Sequence, residues 1–213
     1  MLWDNTSMDK IRRKKRTLKS LYYNAIFSIK GFIKNASNIQ KIKRTIKAGH
    51  VPSRGDEDYK YCTKSGYLAS DIVNCLGHAV FNFSNAELDD MKLDKEAGRI
   101  FCDIESKKGG DTIEGITEGV IDLVKKTGLK IEPAKPEAML KSNQWKIALY
   151  FGQLEDSTLV FHFFFQEEPN HWTSKMAHQK HITHYDHLDD IYVDKDATYE
   201  KYEEYIITNP YAE

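Results

Sequence analysis

The chain has 213 residues, of which 40% are hydrophobic, 12% aromatic and 30% charged, with a formal net charge of −1. That content suffices for one core of ordinary size, so a single globular domain with an appended arm is expected, and no run approaches the roughly 18 apolar residues that a membrane-spanning helix requires. Three cysteines, at 62, 75 and 102, exclude a disulfide framework and a CxxC metal pair; with no small-residue cleavage site near the start, they point to a soluble protein of a reducing, cytoplasmic compartment.

The small net charge conceals a division. Residues 1–50 hold thirteen Lys or Arg against Asp4 and Asp9, a balance of +11 that leaves −12 for residues 51–213. Within the basic part, Ile11, Leu18, Leu21, Tyr22, Ala25, Ile26, Ile29 and Ile33 recur at three- and four-residue intervals, which predicts an amphipathic helix over 10–33. A shorter basic helix is expected over Ile39 to Lys47. Three roles are open to this arm. It packs on the acidic body, it binds nucleic acid through IRRKKR at residues 11–16, or it lies on an anionic surface with Tyr22, Phe27 and Phe32 at the interface. Pro52, Gly55 and Gly66 among polar neighbours mark residues 48–70 as a linker, so the arm is assigned to 1–50 and the body to 51–213.

The stretch DIVNCLGHA, residues 71–79, places Cys75 at the start of an apolar helix that should run to Asn82 or Asn85 and bury Ile72, Leu76, Ala79, Val80 and Phe83. A helix N-terminus favours the thiolate, the reactive form of cysteine. Cys75 is then either a small core hydrophobe or a nucleophile whose imidazole partner arrives through the fold. Residues 86–110 are polar, with RIFCDI as a short strand and Cys102 as packing. DTIE at 111–114 is a capping-box pattern and predicts a helix from Asp111, with Ile113, Ile116, Val120, Leu123 and Val124 on one face and Gly128 as left-handed cap. LKIE is expected as a strand and PAKPEA as a connection stiffened by Pro133 and Pro136.

Gln144 to Phe151 and Thr158 to Gln166 are rich in β-branched and aromatic residues and read as a hairpin, its second strand apolar on both faces and hence central. His162 interrupts that strand. It is either a core imidazole bonded to a carbonyl or the base that meets the thiol, and cysteine first with a strand histidine later is the chain order of papain-like thiol hydrolases. Five of the eight histidines, at 171, 178, 181, 184 and 187, follow within 17 residues. A helix would gather three of them for zinc, but Pro169, Ile182, Thr183 and Tyr185 argue against one, so the expectation is a solvated histidine-rich loop and no metal. ATYEKYEEYII, residues 197–207, reads as a short acidic helix with Tyr199, Tyr202 and Ile206 on its apolar face and Glu200, Glu203 and Glu204 available to dock the basic arm.

The segment from Phe161 to Asp194 resembles one in a loosely defined group of mostly uncharacterised microbial and viral proteins, phage and bacterial among them. There a strand histidine in an HxFRQ-like pattern precedes WSHKPG, a TxxD and an IxD. His162 and Gln166 match the first element, Trp172 and Lys175 the second, Thr183 and Asp186 the third, and Ile191 and Asp194 the last. The group's upstream [DN]CxGxA helix is matched by Asn74, Cys75, Gly77 and Ala79. Ser174 stands where the pattern has His, and Met176 and Ala177 where it has Pro-Gly. The resemblance implies an α+β, papain-like fold with Cys75 as nucleophile, His162 as base and Asp186 orienting the imidazole. The resulting expectation is a cysteine peptidase or amidase acting on an amide or isopeptide bond of a protein or peptide substrate, without cofactor or metal. The alternative is an interaction protein that keeps the fold and binds nucleic acid or a protein partner through its basic arm, with no turnover.

Overall fold

A computed structural model describes residues 36–52, 58–59, 61–62, 67–68, 73–93, 112–135, 138–154, 159–176, 179–188 and 197–213. The helix expected over 10–33, the strand RIFCDI with Cys102, and Asp111 lie outside the described residues. In chain order the described elements are α1 (36–47), β1 (Tyr61–Cys62), β2 (Tyr67–Leu68), α2 (Cys75–Phe81), α3 (Asn85–Met91), α4 (Ile113–Thr127), β3 (Lys130–Pro133), β4 (Gln144–Leu154), β5 (Leu159–Glu168), β6 (His171–Ser174), β7 (Thr183–Tyr185) and β8 (Ala197–Thr208). β1 and β2 pair with each other, within the stretch expected as linker. The other six strands form one antiparallel sheet in the order β3-β8-β4-β5-β6-β7.

The architecture follows from two burial patterns. On β5, Phe163 and Phe165 face one side and join Leu76, Ala79 and Val80 of α2, Ile42 and Ile46 of α1, and Val120 and Val124 of α4 in the main core. Phe164 faces the other side, where it clusters with Ala148, Tyr150 and Trp172. The chain is therefore α+β, with helices packed on one face of an antiparallel sheet. The expected hairpin is present, with Tyr150 opposite His162 and Ala148 opposite Phe164. Trp145 fixes the sheet to α2 by donating from Nε1 to the Val80 carbonyl at 3.0 Å. No helix among the described residues is long and apolar enough to cross a membrane.

Three expectations about the elements are corrected. Residues 197–207 are not a helix: β8 pairs with β4 along its length and with β3 at its C-terminal end. Tyr, Ile and Thr favour strands, and a position between two partners satisfies the backbone on both edges, which outweighs a three-to-four-residue spacing that only two turns of helix would exploit. The Cys75 helix ends at the nearer of its two expected stops, with Phe81 its last residue and Asn82 its left-handed cap (φ 42°), but a separate helix, α3, begins at Asn85 in a stretch read only as polar. Its signal is in the sequence as S-x-x-E: Ser84 accepts from the Glu87 N–H while Glu87 reaches back to the Ser84 N–H. The 113–127 helix is capped by Thr112, whose side chain accepts from the Gly115 N–H, rather than by Asp111; Gly128 closes it at φ 97° as expected.

The boundary near His50 also falls inside packed structure. Ile42 and Ile46 of α1 are fully buried in the main core. Asn209, after β8, donates from Nδ2 to the Ile46 and His50 carbonyls at 2.9 and 2.7 Å. His50 is itself buried, with Nδ1 2.6 Å from Glu87 of α3 and Nε2 donating to the Phe81 carbonyl. The second basic helix is thus part of the body, and the chain from it to His50 is bonded to α2, α3 and the segment after β8.

Candidate functional site

Cys75 is the first residue of α2, half-buried and not in a disulfide, with Asn74 capping the helix through a bond from the Gly77 N–H to Oδ1 at 3.0 Å. The apolar positions of α2 lie on β5, and Cys75 packs against the same main core. One turn on, His78 is buried under the sheet. Tyr59 Oη lies 2.9 Å from its Nδ1 and Thr173 Oγ1 3.1 Å from its Nε2. With each ring nitrogen already engaged by a hydroxyl, His78 cross-links the β6 strand to the segment at Tyr59 and is not poised to take a proton from a thiol. Lys175 is also fully buried here, its Nζ 5.3 Å from the Tyr59 ring centroid.

The three residues expected to form a catalytic group are not brought together. Side chains alternate along a strand, and β4–β5 pairing is unbroken through His162, so this residue points with Phe164 to the face opposite α2. Its ring centroid is 5.0 Å from that of Phe164, at an interplanar angle of 75°. The sheet therefore stands between His162 and Cys75. His162 Nε2 is buried without a hydrogen-bond partner, and burial pushes the imidazole down to about 4, so it is neutral at neutral pH. Of the two sequence readings, the core imidazole is the one that the strand geometry produces, without the carbonyl bond expected for it. Asp186 is 91% exposed at the end of β7, its Oδ1 3.6 Å from His171 Nδ1. It lies beside His171 and not beside His162.

Two histidines of the histidine-rich segment, His171 and His184, meet, while His178 lies outside the described residues. Pro169 and Asn170 (φ 66°) turn β5 into β6, and the register shift between Gln166 and Glu168 leaves Glu167 as a bulge residue turned towards His171. β7 then pairs with β6, setting His184 opposite Thr173 and hence on the same face as His171. His171 Nε2 lies 3.1 Å from His184 Nδ1 and 3.5 Å from Glu167 Oε2, and the two rings stack at 5.3 Å. Glu167, His171 and His184 each offer one ligand atom, all within 4.8 Å of one another. His181 is directed elsewhere, its Nδ1 2.8 Å from Asp58. Desolvation opposes ionisation of Asp58, but the His181 bond, the Ile182 N–H and the nearby charges of His181 and Lys180 together outweigh it and hold the carboxyl below its usual range. Glu167 was not legible as a site residue, because the bulge that aims it is visible only in the paired strands.

Comparison with known proteins finds no family model that matches this chain, and no curated protein or solved structure that matches it.

Proposed function

We propose that this chain is a papain-like scaffold that acts by binding, with its basic N-terminal part engaging nucleic acid, rather than by thiol turnover. The layout of a cysteine-bearing helix packed on an antiparallel sheet supports the scaffold. The sheet lying between Cys75 and His162 removes the base that turnover needs, since proton transfer requires heavy atoms within about 3 Å or one bridging water.

One observation favours nucleic acid among the roles of the arm. Of the acidic residues expected to receive it, Glu203 and Glu204 are engaged within the sheet: Tyr205 Oη donates to Glu203 at 2.5 Å, and Glu204 pairs with Lys146 at 3.3 Å on a nearly dry face. Glu204 is thus neutralised by a lysine of the sheet, and Glu203 is held by a tyrosine hydroxyl. The basic tract meanwhile continues into α1, whose inner face buries Ile42 and Ile46 and whose outer face exposes Arg44 and Lys47. Five consecutive cations at 12–16 carry no interleaved apolar residue, which suits phosphate contacts better than insertion at a lipid interface.

The test is binding of the full chain to labelled duplex DNA and single-stranded RNA over a salt series, beside vesicles of anionic lipid. Nucleic-acid binding is expected to weaken steeply with salt. Reversing Arg12, Arg13, Lys14, Lys15 and Arg16 to Glu should weaken it by orders of magnitude and lower the salt slope of what remains on duplex DNA by about 4, at unchanged melting temperature. Binding to vesicles alone, or a lowered melting temperature with no nucleic-acid binding by the wild type, would overturn the reading.

A further inference from the structure

We infer that Glu167, His171 and His184 form a zinc site at the β5–β6–β7 edge of the sheet, independent of the nucleic-acid reading. Zinc bound by imidazole nitrogen and carboxylate oxygen at 2.0–2.1 Å has tetrahedral edges of about 3.3 Å between neighbouring ligand atoms. The His171–His184 and His171–Glu167 separations, 3.1 and 3.5 Å, bracket that edge. Two imidazoles and one carboxylate are a borderline donor set that suits zinc over calcium or magnesium, which prefer oxygen alone.

The backbone holds these ligands in place for reasons local to each. The bulge aims Glu167, the two-residue turn returns His171 four positions later, and the β6–β7 register delivers His184. His171 offers Nε2 to the metal while Asp186 faces its Nδ1, the position from which a carboxylate fixes the tautomer of a ligating histidine. His184 binds through Nδ1 and so carries its ring proton on Nε2 in the metal-bound form, a neutral imidazole. Three protein ligands on a half-exposed edge leave the fourth position to water or to a group from a partner molecule.

The full chain, stripped with chelator and dialysed against zinc chloride, is expected to retain one zinc. His171→Gln and His184→Gln should each abolish retention, Asp186→Asn should weaken it about tenfold as a positioning residue, and His187→Gln, an exposed histidine of the same segment, should leave it intact. Cobalt in place of zinc should give the intense visible absorption of a four-coordinate site, absent from both ligand variants. Because the three ligands are not in the core, far-UV spectra of the variants should match the wild type. Failure of the wild type to retain zinc, or equal retention by His171→Gln and His184→Gln, would overturn the assignment.

Discussion

Each face of the six-stranded sheet buries a histidine, and the two are treated oppositely. On the helical face, His78 has a hydroxyl at each ring nitrogen, Tyr59 and Thr173, and joins three segments. On the other face, His162 lies against Phe164 with Nε2 unpartnered. A satisfied buried imidazole is a cross-link whose removal strands its partners, whereas an unsatisfied one persists only by staying neutral. A histidine in an apolar strand is therefore no sign of a catalytic base by itself; the face it points to and what stands there decide.

That contrast can be broken or sharpened by experiment. The largest effect should come from His78→Leu, which leaves the Tyr59 and Thr173 hydroxyls without their imidazole partner and reshapes a filled space; a loss of about 3–4 kcal/mol is expected in urea denaturation. A loss under about 1 kcal/mol would mean the cross-link is unimportant. Next is the acid limb. The folded-state value of His162 is about 4 against 6.5 unperturbed, so between those values the unfolded chain binds the proton and the folded chain does not. Its contribution to stability is fully present above pH 6.5 and is lost as pH falls towards 4, by about 3 kcal/mol in all. Glu87 adds a second, lower window. Desolvation opposes ionisation there, but bonds from His50 and Ser84 keep the carboxyl below 4.5, so its contribution is present above that pH and disappears below it.

A smaller effect should follow from His162→Phe, which replaces an unpartnered polar ring by an apolar one beside Phe164. Stability at pH 7 should rise by about 1 kcal/mol, and the loss between pH 6.5 and 4 should shrink. Destabilisation instead would show that His162 has a polar role. The smallest effect concerns coupling through the sheet: His162→Phe should change the iodoacetamide labelling rate of Cys75 by less than about twofold, whereas a thiol–imidazole pair would lose most of its thiolate. A tenfold slowing would restore the hydrolase reading.

The central hairpin and the 113–127 helix with its Gly128 cap are legible because each rests on interactions within one segment or between neighbours: a 3.6-residue apolar stripe, a left-handed cap, or a turn between two β-rich runs. Residues 197–207 were misread because their helical spacing is real, but the partners that make them a strand, β4 and β3, are distant in the chain. α3 was overlooked although Ser84 and Glu87 spell its cap.

The sequence by itself determined an α+β chain, with a basic first part, a cysteine opening an apolar helix and a histidine-rich segment after the central strand, since composition, period and capping are local properties. Only the tertiary structure decided which of these residues meet. Alternation along β5 sends His162 away from Cys75, the bulge at Glu167 and the β6–β7 register draw His171 and His184 together, and burial of Ile42 and Ile46 makes α1 part of the body. One residue of strand register moves a side chain to the opposite face of a sheet, and register is set by contacts between strands rather than by the strand's own sequence.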